Sequence, residues 1–280
     1  MRTIDMARIT ETVSNLCSAA NKQLPADIVA RLAAAAAAEC QPLARELLLK
    51  MIDNAALAEQ MDIPICQDTG LVVVFADVGQ EVSLRGVPFE EAINAGVAHA
   101  YTNDCLRCSI TADPLRRGNT GDNTPAVIHT RIVPGDKLSL TVSPKGCGSE
   151  NMSAICMLKP TATRSEVIEA VCGVARRAGS NPCPPMIIGV GLGGNFESSA
   201  LLAKRALCRA LDSPHPDADM AALESELLQA VNALGIGVQG FGGDTTALGI
   251  NVERAPTHIA GLPVAVNIGC YVTRHKSAVL

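Results

Sequence analysis

An uninterrupted helical period of apolar residues stops at Pro64, and that change most constrains the fold. Ahead of it, Ile9, Val13 and Leu16, then Ile28 and Leu32, recur three and four residues apart, which is one face of a helix. Pro25 suits a helix first turn, and residues 42–60 repeat the pattern with Leu43, Leu47, Leu48, Met51 and Ala55. Beyond Pro64, strand-like runs are expected at 71–78, 126–133, 137–142, 186–190, 246–252 and 263–268. Helical spacings fall between them at 88–101, 164–178, 196–211 and 220–234, the last followed by Gly235, a helix-ending residue. The reading is therefore mixed α/β. A helical region over residues 1–60 is followed by alternating strands and helices around a mixed sheet over 61–280. No repeat or low-complexity linker interrupts it apart from the short break at His215-Pro216-Asp217.

Composition removes several classes. The chain has no Trp, two Tyr and four Phe, too few rings to stack nucleic-acid bases, and a net charge of −5 without a basic run. No nucleic-acid partner is expected. The longest apolar stretch, Leu32 to Ala38, is too short to span a bilayer, so no membrane partner is expected either. Asp5 stands where a signal peptide needs apolar residues. Eleven cysteines without an export signal point to a reducing, cytoplasmic location, where they act as thiols or metal ligands.

Three cysteines stand apart. Cys66 opens Cys66-Gln67-Asp68-Thr69-Gly70, Cys183 lies in Asn181-Pro182-Cys183-Pro184-Pro185, and Cys270 closes the apolar run that begins at Leu262. Each sits at the end of an expected strand or in a rigid loop. Three thiolates gathered by folding can hold three corners of a [4Fe–4S] cluster and leave the fourth iron open to substrate as a Lewis acid.

The other motifs each carry two readings. Gly189-Val190-Gly191-Leu192-Gly193-Gly194 has the form of a dinucleotide fingerprint, but Asp212 ends a helix rather than a second strand, so a tight packing turn is the better reading. Cys105-Leu106-Arg107-Cys108 lacks a second pair for zinc; Arg107 is either a carboxylate clamp or a surface residue. Gln67 and Asp68 can orient a hydroxyl, or Asp68 can cap a turn. Lys145-Gly146-Cys147-Gly148-Ser149-Glu150-Asn151 has the glycines of an anion-binding backbone loop. Asn119-Thr120-Gly121-Asp122-Asn123-Thr124-Pro125 is a polar turn that can be a mere connection. His258 is an acid–base group, a substrate donor or a structural loop histidine.

Taken in order, CQDTG, the Leu106–Ser109 segment, NTGDNTPA (119–126), KGCGSEN (145–151), NPCPP (181–185), GVGLGGN (189–195), GGDTTALG (242–249) and THIAGLPVAVNIGC (257–270) resemble the iron–sulfur-dependent fumarase family. They are most similar to the α subunit of its two-subunit form. L-tartrate dehydratase α subunits share the cysteine framework, while KGCGSEN and GGDTTALG look like the fumarase branch. The resemblance implies one iron–sulfur hydro-lyase α-type catalytic domain over residues 1–280. It implies a [4Fe–4S] cluster on Cys66, Cys183 and Cys270, and substrate contacts at Gln67, Asp68, Arg107, Gly148, Asn151 and His258, with Asp68 and His258 catalytic. Two departures stand out: Cys147 replaces a glycine of the KGGGSEN loop, and Val238-Gln239 stands where relatives often have Pro.

The family's remaining catalytic parts, including the expected base, belong to a β domain. A β-subunit-like partner chain is therefore expected, in a hetero-oligomer or with the α chain as a homodimer. The implied activity is reversible hydration of fumarate to (S)-malate, a step of the tricarboxylic acid cycle. L-tartrate dehydration and mesaconate hydration are the alternatives within the class. A four-ligand redox or sensor cluster and a protein of inert buried thiols are the alternatives outside it.

Overall fold

The computed structural model describes residues 2–280. In chain order its elements begin with β1 (Arg2–Asp5), α1 (Met6–Lys22), α2 (Ala26–Ala38), α3 (Pro42–Met61), β2 (Leu71–Gly79), β3 (Val82–Arg85) and α4 (Phe89–Asn103). Next come β4 (Val127–Val133), β5 (Leu138–Lys145), α5 (Cys147–Glu150), β6 (Ala154–Leu158), α6 (Arg164–Ala178) and β7 (Met186–Gly193). The chain finishes with α7 (Phe196–Ala206), α8 (Ala218–Asn232), β8 (Ala247–Ala255), β9 (Leu262–Gly269) and β10 (Lys276–Val279). The fold class is mixed α/β with a helical N-terminal region, as the change of period at Pro64 implies. Two compact units share these elements: among the described residues, 2–25, Ala55–Cys147 and Arg274–Leu280 form the first, Ala26–Asn54 and Gly148–Thr273 the second.

In the first unit a sheet of order β10-β5-β2-β4 carries one parallel pair, β2 with β4, and two antiparallel ones. Period-two alternation sends Val72, Val74, Ala76 and Val78 of β2 to one face, where Leu138, Leu140 and Val142 of β5 join them. Helices α1 and α4 cover that face with Ile9, Val13, Ile93 and Val97, all fully buried. Each such side chain contributes about 1.5–3 kcal/mol by leaving water. Asp5 starts α1 by accepting from the Ala7 N–H (2.8 Å), and the short β1–β3 pair lies beside it.

The second unit has the sheet order β6-β9-β7-β8. Its central strand β7 is apolar on both faces, because helices cover both. On one face Ile188 and Val190 of β7, with Val264 and Val266 of β9, pack against Val171 and Val174 of α6 and Leu227 of α8. On the other face α7 lies so close that a Cβ on Gly191 would stand 2.0 Å from the Ser199 carbonyl oxygen, and one on Gly189 2.1 Å from that of Ala203. The glycines of GVGLGG therefore serve helix–strand packing. Helix α6 opens with a capping box between Thr163 and Glu166, and α8 with Asp217 accepting from Asp219 and Met220.

Helix α7 ends at Ala206, short of the expected residue 211, because the next residues turn away. Arg209 pairs there with Glu224 and with Glu253 (3.0 Å). Gly191→Ala is expected to destabilise the chain by about 3 kcal/mol, since backbone rather than a flexible side chain must move; urea unfolding measures it.

Candidate functional site

Strand direction decides which loops meet. In the first unit, Leu71 at the start of β2 lies opposite Lys145 at the end of β5, and β4 runs parallel to β2. The CQDTG loop, the 119–126 turn and the Lys145-Gly146-Cys147 segment therefore share one end of that sheet. Asp68 ties the first to the last: Oδ1 accepts from the Gly70 N–H (3.0 Å) and Oδ2 from the Cys147 N–H (3.0 Å). Asp68 is thus a turn-capping residue in this arrangement, and its carboxylate keeps further lone pairs for a ligand. Gly70 has φ +75° and its backbone passes so near Lys145 that a Cβ would stand 2.7 Å from it.

The same end is braced from behind. Tyr101 Oη donates to the Thr69 carbonyl (2.6 Å), and burial raises its pKa, so the donor proton stays in place. Thr69 Oγ1 donates to the Arg107 carbonyl (3.0 Å), which fixes the backbone there while Arg107 itself is exposed. Asn123 donates to the Gly70 carbonyl (3.0 Å) and accepts from the Ser109 N–H (2.7 Å). Arg274, 3% exposed, donates to the Asp68 carbonyl (2.6 Å) and to Asn21 Oδ1 (3.2 Å). Cys66 Sγ accepts from the Asp68 N–H (3.4 Å), and Gln67 beside it is exposed.

In the second unit β9 runs antiparallel to β7, with Ile187 opposite Gly269. Cys183, before β7, and Cys270, after β9, therefore emerge at the same end of the sheet. Strand β6 pairs Ala154 with Val266, which brings Gly148 and Asn151 to that end too. Gly148 faces the Asn181 carbonyl, 3.7 Å from where its Cβ would be. Glu150 anchors the loop by pairing with Lys204 and accepting from Asn267 (3.1 Å). Cys147 opens the helical turn α5, a conformation any L-residue adopts, so the departure from glycine is accommodated.

His258 is placed elsewhere. It follows β8, which is parallel to β7, and its neighbour Thr257 donates to the Gly194 carbonyl (3.0 Å) beyond the far end of β7. The fold of the second unit does not bring His258 to the end that carries Cys183 and Cys270. Sequence reasoning also misses Arg274, Asn21, Tyr101 and the Glu150–Lys204 pair. Of these only Glu150 stands in a recognised motif.

None of the eleven cysteines is in a disulfide. Burial pushes Cys17 up to about 12, and it also raises Cys172. Cys66 and Cys270 are half-buried and Cys183 is exposed, outside both apolar cores. Within either unit, among the described residues, no three His, Cys, Asp or Glu side chains form a metal-holding group. The chemistry of the donor set, soft thiols on loops at strand ends, nevertheless suits iron and sulfide. Tyr101→Phe should cost about 1–3 kcal/mol, because it leaves buried carbonyls short of a donor; thermal unfolding tests this.

Residues 10–279 match the family described as fumarate hydratase (Fumerase). A Methanocaldococcus jannaschii protein provisionally named L(+)-tartrate dehydratase subunit alpha is 37% identical over 273 residues, covering 95% of each chain. The L(+)-tartrate dehydratase subunit alpha of Escherichia coli K12 is 30% identical over 270 residues, covering 95% of this chain and 89% of its own. That of Shigella sonnei is similar to the same extent. With nearly its whole length matched, the chain belongs to the fumarate hydratase family of hydro-lyases.

Proposed function

We propose that this chain is the α subunit of an iron–sulfur hydro-lyase that interconverts fumarate and (S)-malate. The observation that carries the reading is the convergence of Cys183, Cys270, Gly148 and Asn151 at one end of a sheet, within a chain of this family. Cys66, Cys183 and Cys270 are the cluster ligands. When bound, the cluster supplies an open iron as Lewis acid to a substrate carboxylate and hydroxyl. Arg107 clamps a carboxylate, and the N–H groups around Gly148 and Asn151 stabilise charge that develops on it. Gln67 and Asp68 orient the departing hydroxyl. His258, proposed with them as a catalytic and substrate-contact residue on the strength of its motif, lies at the far end of the second unit's sheet.

The relatives' names favour a second reading, dehydration of L-tartrate, and support a β-subunit partner, which would bring the base. No helix among the described residues is long and apolar enough to cross a membrane. The eleven thiols, none in a disulfide, support a cytoplasmic location.

Anaerobic assay of the chain with its β partner on fumarate, L-tartrate and mesaconate tests the substrate. Fumarate should give the highest kcat/KM; a higher value for tartrate would replace the first reading with the second. Cys66→Ser, Cys183→Ser and Cys270→Ser should each abolish cluster incorporation, whereas Cys17→Ser and Cys172→Ser should not; iron and sulfide analysis decides. Arg107→Ala should lower kcat/KM by roughly two orders of magnitude, from about 1.5–3 kcal/mol per charge-assisted hydrogen bond, with cluster content unchanged.

A further inference from the structure

The loop that follows α8 holds the loop that bears Cys183. Both the backbone N–H of Gln239 (2.9 Å) and its side-chain Nε2 (2.8 Å) donate to one acceptor, the Pro184 carbonyl. Pro184 is the residue after Cys183. Both Cys183 (φ 53°) and Gln239 (φ 54°) lie in the left-handed region, which persists only where the surroundings fix it. Next to Gln239, Gly240 approaches Ser180 so closely that a Cβ would stand 2.5 Å from the serine Cβ.

This bracket is itself anchored. Glu39 is fully buried, and its carboxylate accepts from the N–H groups of Asp244 (3.0 Å), Thr245 (3.2 Å) and Gln41 (3.1 Å). Gln41 in turn donates to the Phe241 carbonyl (2.9 Å). Gly237 bridges to Gly242, closing the loop on itself. The 237–245 segment is thus tied at both ends, with Gln239 at its tip.

We infer that Gln239 is a positioning residue that presents the Cys183 sulfur for iron binding. The iron part rests on the cluster reading; the bracket itself does not. The test compares wild type with Gln239→Ala and Gln239→Glu, the latter keeping the shape but losing the side-chain donor. In the apo chain, iodoacetamide alkylation of Cys183 relative to Cys66 should rise about five-fold in both variants, the worth of one hydrogen bond. After anaerobic reconstitution, the electron paramagnetic resonance spectrum of the reduced cluster should shift at full iron content. An alkylation ratio within about two-fold of wild type, with a superimposable spectrum, overturns the inference. Should Gln239→Ala lose its circular dichroism, Gln239→Glu decides. Should the wild-type chain take up no iron, the cluster reading fails, and the alkylation ratio alone decides the bracket.

Discussion

The antiparallel register of β9 on β7 is the constraint on which the second unit depends. With Ile187 opposite Gly269, Cys183 and Cys270 leave the sheet at the same end. A slip of one residue would turn Val264, Val266 and Ile268 away from α6 and α8, so burial enforces the register. The close approach of α7 to Gly189 and Gly191 sets the opposite face. The packing that builds the core also places the thiols.

The first unit reaches the same result by hydrogen bonds. Asp68 joins the CQDTG loop to Cys147, while Arg274 and Tyr101 hold its carbonyls from behind. The contacts of Arg274 and Tyr101 involve buried polar groups, costly to leave unmade, so the loop has one favoured arrangement. Two of the chain's crossings between units fall at Cys147–Gly148 and at Thr273–Arg274. The first lies within the KGCGSEN motif and the second beside the arginine that holds the CQDTG loop.

Much of this is legible in the sequence. The apolar runs at 71–78 and 263–268, bounded by Gly and Pro, read as strands, and β2 and β9 each extend only a residue or so beyond them. The short strands are not legible: β1, β3 and β10 have four residues each and form only against partners distant in sequence. The motif residues Gly148, Asn151, Cys183 and Cys270 are named from the sequence, while their place at one end of a sheet follows only from strand register. Arg274 and Asn21 are not named from it, since a buried guanidinium holding a carbonyl of Asp68 leaves no local pattern. His258 shows the converse, a motif residue whose place at the far end of the sheet only topology reveals.

The most direct measurement is the Mössbauer spectrum of the chain with the proposed β-subunit partner, reconstituted with ⁵⁷Fe, before and after addition of fumarate. The account predicts a [4Fe–4S] spectrum in which one iron site alone shifts on substrate binding, as an open-iron cluster requires. A cluster whose iron sites all ignore the substrate, or no cluster at all, would contradict it.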